Sequence, residues 1–239
     1  MNNNYGKFFG IGVGPGAPDL LTLRAVNILK SVDVVCVPRS SIENDSVALK
    51  VAGAHISPQT EIMEVSTPMT RDKNVLEAEW RVGAAKIAER LQAGRNVAFI
   101  TIGDAMLFST YTYLLKRVRE IIPAVEVESV PGVTSFAATA AFLNEALAEG
   151  NEKLAIIPAV DDPEELRPIL MQFPNAVLMK VAGKYEEIVD LLAELGLKEK
   201  AVYVSKLGYA DQFVTYDLDS LRNSKRDYLS LILVKRGGF

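Results

Sequence analysis

The chain of 239 residues has one cysteine, Cys36, and one histidine, His55. One chain can therefore build neither a disulfide nor a Cys/His metal cluster, and no metal site is expected. A basic excess is also missing. Twenty-six Lys and Arg against thirty Asp and Glu leave a formal net charge of −4, which offers no footprint for a phosphate backbone and argues against a nucleic-acid partner. No apolar run reaches the ~18 residues of a membrane span. The opening MNNNYGK has no basic region followed by an apolar signal segment. These absences predict a soluble protein of a reducing cytoplasm, with a small or mid-sized substrate. Internal repeats and low-complexity tracts are absent too.

What is present is apolar material: 49% of the residues are hydrophobic, enough for one sizeable core or two small ones. Strand-length apolar runs alternate with stretches at helical spacing, the pattern of βα units packed into mostly parallel sheets, so the fold class is α/β. Strands are predicted over 7–13, 34–37, 61–65 and 96–102, with helices from Thr22 as N-cap to 29 and from 73 to 91, the latter stopped by Gly94. The texture changes at 116–123, where charged residues run into Pro123, and a domain boundary is expected there. Two α/β domains follow, 1–117 and 124–239, with a ligand cleft expected between them. In the second, strands are predicted over 125–129, 154–158, 177–181, 202–206 and 228–234, and helices over 135–142, 164–173 and 185–195.

Four segments could carry chemistry. Gly10-Ile11-Gly12-Val13-Gly14-Pro15-Gly16 follows a strand and precedes a helix, where glycines allow close backbone approach. The third glycine is misplaced for a dinucleotide fingerprint, and the second strand runs into Pro38 and Arg39 rather than an acidic residue. No Gly-Lys-Ser/Thr follows for a phosphate loop, and a plain tight turn is an equal alternative. Thr101 to Thr110, reading TIGDAMLFST, lies at the carboxyl end of a strand, where open α/β sheets bind ligands. Gly103 permits a sharp turn. Asp104 either caps the next helix, the commoner role, or offers its carboxylate to a ribose or ammonium group. Met106 and Leu107 are apolar surface for an adenine ring or ordinary core.

Val130-Pro131-Gly132-Val133-Thr134-Ser135 ends a strand and starts an alanine-rich helix, whose hydroxyls and first-turn donors suit a carboxylate or ring nitrogen. The alanines themselves read first as close packing. Two late strand ends, at Met179-Lys180 and Lys206-Leu207-Gly208, could line one site. Their lysines would answer acidic substituents, although such residues are commonly only solvated. His55 receives no role.

In this order the segments resemble the tetrapyrrole methylase family, in particular its branch acting at C-20 of precorrin-2 or cobalt-factor II in cobalamin biosynthesis. The resemblance spans almost the whole chain, and the stretches that carry it most are GIGVGPGAPDLLTLRAVNIL (10–29), VPRS (37–40), TIGDAMLFSTYTYL (101–114) and SVPGVTSFAATAA (129–141). The resemblance implies a homodimer of two-domain chains, with S-adenosylmethionine folded between the domains and S-adenosylhomocysteine as product. It implies cofactor contacts at Gly103, Asp104, Met106, Thr134, Ser135, Met179, Lys180, Leu207 and Gly208. The glycine-rich loop, with Gly14, Pro15 and Gly16, would face the tetrapyrrole, and Arg39 is a candidate for its acidic side chains. Carbonyl oxygens of the Gly103 turn would suit a sulfonium, and no general base is implied. The chain departs from the family's Gly-Asp-Pro and following Tyr, carrying Ala105 and Phe108 instead. Alternatives are a related methylase of ribosomal RNA or protein, a nicotinamide-binding oxidoreductase, and an idle tetrapyrrole-binding module.

Overall fold

The computed structural model describes residues 5–39, 46–68, 70–158 and 160–239. Residues 1–4, read above for a targeting segment, and Ser40 of the VPRS stretch lie outside them. The chain divides into two compact units, Met1–Thr134 and Ser135–Phe239.

The first unit is a parallel sheet. Its strands are β1 (Phe8–Gly12), β2 (Val34–Arg39), β3 (Glu61–Ser66), β4 (Val97–Thr101) and β5 (Val127–Val130), in the order β3-β2-β4-β1-β5. Every pairing in it is parallel, so the carboxyl ends of all five strands share one edge. The helices between are α1 (Leu23–Leu29), α2 (Val47–Ala52), α3 (Lys73–Gln92) and α4 (Tyr111–Ile121). Thr22 caps α1, its side chain accepting from Ala25 N–H at 3.2 Å. Asp72 caps α3 by accepting from Asn74 N–H at 2.8 Å and Val75 N–H at 3.3 Å, and Gly94 ends it at φ 78°. Phe8, Cys36, Phe99 and Tyr111 form the centre of the core with Ile87 and Leu91 of α3. Strand β5 is an edge, and Glu128 on it binds Arg24 of α1 (2.6 and 2.8 Å) and Lys7, just before β1 (3.0 Å). These bonds, that to Arg24 first, hold the Glu128 carboxyl down at about 2.

The expected boundary at 116–123 is displaced. Helix α4 runs through most of that segment with Leu114 and Val118 in the core, and Ile122 just beyond it is buried as well. Its charged residues form the outer face of an amphipathic helix, where Arg117 pairs with Glu77 and Glu120. Because β5 then pairs with β1, the break comes after Thr134.

The second unit contains α5 (Ser135–Leu143), β6 (Leu154–Ile157), α6 (Leu166–Gln172), β7 (Asn175–Met179), α7 (Tyr185–Glu194), β8 (Ala201–Ser205), β9 (Phe213–Thr215) and β10 (Ser230–Lys235). Its sheet order is β6-β7-β10-β8-β9. Only β6 and β7 pair in parallel; β10 runs antiparallel to both β7 and β8, and β9 antiparallel to β8. The expectation of mostly parallel sheets thus fails in this unit. A strand buried on both faces reads as the same apolar run in either direction, and β10 is such a strand. Its core centres on Tyr185, Leu192, Tyr203 and Ile232, with Tyr185 O–H donating to Leu218 O at 2.8 Å.

Candidate active site

The carboxyl edge of the first sheet is where three glycine-containing loops meet. A Cβ on Gly132 would lie 2.1 Å from the Gly103 carbonyl oxygen, and one on Gly12 would lie 2.5 Å from the same atom. The end of β1 and the loops after β4 and β5 can approach this closely only because Gly12 and Gly132 lack side chains. Gly14 and Gly103 add a two-bond bridge: Gly103 N–H donates to Gly14 O at 2.7 Å and Gly14 N–H to Gly103 O at 3.2 Å. Gly14 stands at φ 80° and Gly103 at φ 71°.

Asp104 locks this arrangement. Its Oδ1 accepts from Met106 N–H at 2.8 Å and its Oδ2 from Gly132 N–H at 2.9 Å, so one carboxylate shapes its own turn and ties it to the loop after β5. Asp104 does not cap the next helix, which begins at Tyr111 with Thr110 at its N-cap; its carboxylate is engaged by its own turn and by Gly132. The Gly103 carbonyl is packed against Gly12 and Gly132 and accepts the Gly14 N–H, so it is occupied within the fold. The opposite side of Gly103 is open, since a Cβ there would meet nothing within 4 Å. In the segment that follows, Met106 is 55% exposed and Phe108 46% exposed, whereas Ala105 is fully buried.

The glycine-rich turn is structural in its first layer. Gly14, Pro15 and Gly16 are buried, and the Val13 and Gly14 N–H groups are used by Thr101 O and Gly103 O. Donors spent inside the fold are not available to a pyrophosphate, which counts against the nicotinamide reading. Arg39 ends β2 at the same carboxyl edge, half-exposed and paired with Glu64. Thr134 closes the first unit.

In the second unit Ser135 opens α5. Met179-Lys180 and Lys206-Leu207-Gly208 do come together, because β7 and β8 flank β10 and both end at its start. Lys180 and Lys206 take equivalent places there. Each has a left-handed backbone, φ 58° and 49°, and their N–H groups donate to Ser230 O and Leu229 O, both at 2.9 Å. Their charges differ in use. Lys206 Nζ is held by Asp211 (2.7 Å) and Asp227 (2.9 Å), hydrogen bonds that raise its pKa, while Lys180 Nζ lies 5.8 Å from the centroid of the Tyr228 ring. Leu207 is buried, and Gly208 N–H donates to Gln212 Oε1 at 3.2 Å. The three-loop glycine contact and the shared left-handed backbone of the two lysines were not foreseen, although the meeting of their strand ends was. The spacing of glycines at three successive strand ends is the signal for the first; only long-range pairing reveals the second.

Among the described residues no group of three or more His, Cys, Asp or Glu side chains could hold a metal, and no helix is long and apolar enough to cross a membrane.

The fold and this edge define a class that sequence comparison makes explicit. Residues 7–221 match the family model of the tetrapyrrole (corrin/porphyrin) methylases, and the chain belongs to that family. It is 40% identical to the cobalt-precorrin-2 C(20)-methyltransferase of Salmonella typhimurium, over 97% of each chain. To the "Probable cobalt-precorrin-2 C(20)-methyltransferase" of Methanocaldococcus jannaschii it is 35% identical, over 99% of each. In fold it is similar to a crystal structure of a cobalt precorrin-4 methyltransferase, with a TM-score of 0.73 over 96% of this chain and 94% of that one, at 22% identity. A uroporphyrin-III C-methyltransferase from Thermus thermophilus, complexed with S-adenosylhomocysteine, superposes with a TM-score of 0.68 over 97% and 99%, also at 22% identity.

Proposed function

We propose that the protein is an S-adenosylmethionine-dependent C-methyltransferase acting at C-20 of the precorrin-2 framework in cobalamin biosynthesis, and that its acceptor is the cobalt-bearing form. The observation that supports this most is the open side of Gly103 above a turn held rigid by Asp104, in a chain whose full-length relatives carry that name. The cobalt preference rests on the printed names of those two relatives.

S-adenosylmethionine would supply a methyl group already activated on a sulfonium. The chain's part is to hold donor and acceptor carbon at attack distance and to keep water out. We assign the donor to Gly103, Asp104 and Met106, with Asp104 acting through the shape of its turn and the exposed Met106 giving apolar surface to adenine. Thr134, Ser135, Met179, Lys180, Leu207 and Gly208 complete the assigned contacts. Gly14, Pro15 and Gly16 support the tetrapyrrole from below, and Arg39, shared with Glu64, answers one of its peripheral carboxylates. We assign no residue to remove the proton from the methylated carbon. In this reading the enzyme works as a homodimer in the cytoplasm, with no nucleic-acid partner.

A melting experiment tests the donor. S-adenosylhomocysteine at 100 times its Kd should stabilise the protein by about 2.7 kcal/mol, with NAD and NADP giving no shift. A shift with NAD and none with S-adenosylhomocysteine would overturn the proposal.

A further inference from the structure

Residues 106–108 make an excursion from the sheet edge that is fixed at both ends. On one side Asp104 takes the Met106 N–H at 2.8 Å. On the other, Ser109 Oγ accepts from Tyr111 N–H at 3.2 Å and donates to Thr101 Oγ1 at 3.3 Å, while Thr112 Oγ1 donates to Ser109 O at 2.9 Å. Between these anchors Phe108 stands at φ 50° and is 46% exposed. A bulky side chain rarely occupies this left-handed region, which glycine or asparagine fills without strain. Phe108 recovers little for that strain, because nearly half of it remains in water instead of in the core. Strain held by fixed surroundings, with the side chain left exposed, is the arrangement found where a backbone is shaped to present a group to a ligand.

Two features indicate which ligand. Phe108 has no polar atom in its side chain, so it offers only a flat apolar face. Its loop springs from the same strand ends as the open side of Gly103 and the Gly14 turn. We propose that Phe108 is a specificity-determining contact whose ring lies against the conjugated face of the tetrapyrrole acceptor, distinguishing it from the donor contacts at Gly103 and Met106. The inference rests on the tetrapyrrole methyltransferase reading. It gives residue 108 a role in shape and apolar contact, with no part in proton transfer.

The test is steady-state kinetics and melting of the full chain with Phe108→Asn and Phe108→Tyr. Asparagine accepts the backbone conformation but removes the ring, so the KM for the tetrapyrrole should rise about tenfold or more, as expected for losing a buried aromatic face. The KM for S-adenosylmethionine should stay within about twofold, and the melting temperature should be equal or higher. Tyrosine keeps the ring and should hold the acceptor KM within about threefold of the parent. An unchanged acceptor KM in Phe108→Asn, a rise in the donor KM instead, or a melting loss typical of a core residue would each overturn the assignment. Failure of the underlying reading looks different: the unsubstituted chain itself would neither bind nor methylate the tetrapyrrole.

Discussion

Replacing Asp104 removes two backbone hydrogen bonds at once, those from Met106 N–H at 2.8 Å and Gly132 N–H at 2.9 Å. The Met106 N–H lies near solvent and regains water, so its loss is at the low end of the range for bonds to a charged group. The Gly132 N–H is partly buried among the three glycine loops and is less easily compensated. Together the two should make Asp104→Ala less stable by about 2–4 kcal/mol. For a chain of this size, that corresponds to a fall in melting temperature of roughly 5–15 °C. Asp104→Asn retains one acceptor but turns an NH2 toward the second donor, and about half the loss is expected. Both variants should also bind S-adenosylhomocysteine more weakly, because the turn beside the opening at Gly103 loses its restraint. Thermal melts with and without S-adenosylhomocysteine measure both effects. A melting temperature for Asp104→Ala within about 1 °C of the parent would refute the claim that this carboxylate holds the loops together.

Gly132→Ala places a Cβ 2.1 Å from the Gly103 carbonyl, where only backbone could yield, so a loss of about 3 kcal/mol or more is expected in chemical denaturation. Glu128 has its folded pKa held below the unfolded value, so the stability it contributes is present above the unfolded carboxylate pKa and is lost as pH falls from there toward about 2. Acid titration of Glu128→Gln should show a shallower decline across that window; an identical decline would remove Glu128 from the account. Arg39→Ala should raise the KM for the tetrapyrrole more than that for S-adenosylmethionine, and equal effects on both would reassign Arg39 to a structural pairing with Glu64.

Local signals carried much of the fold. Thr22 and Gly94 marked helix ends by their own chemistry, and both act where they were placed. The buried runs of β1, β2 and β4 located the first sheet, and the glycines after its strands located the edge where the loops meet. What depends on pairing between distant segments was not readable. The direction of β10 between β7 and β8 leaves no mark in an apolar run, and the three-residue β9 is too short to show a period. The charged residues of α4 read as a domain boundary because the partner that places them on a helix face, Glu77 for Arg117, lies forty residues away. Of the candidate site, the sharp turn at Gly103 was legible from the glycine, with Asp104 beside it. The reach of Asp104 to Gly132, the burial of the Gly14 turn and the left-handed backbone of Phe108 are imposed by tertiary contacts that no single segment encodes.

The central claim is methyl transfer to one carbon of a large acidic macrocycle, and product mass tests it most directly. Purified protein incubated with S-adenosylmethionine and either metal-free or cobalt-bearing precorrin-2 should yield a tetrapyrrole heavier by one methyl group, faster with the cobalt form, with labelled methyl located at C-20 by carbon NMR. Recovery of both acceptors unchanged, under conditions where S-adenosylhomocysteine binds, would contradict it.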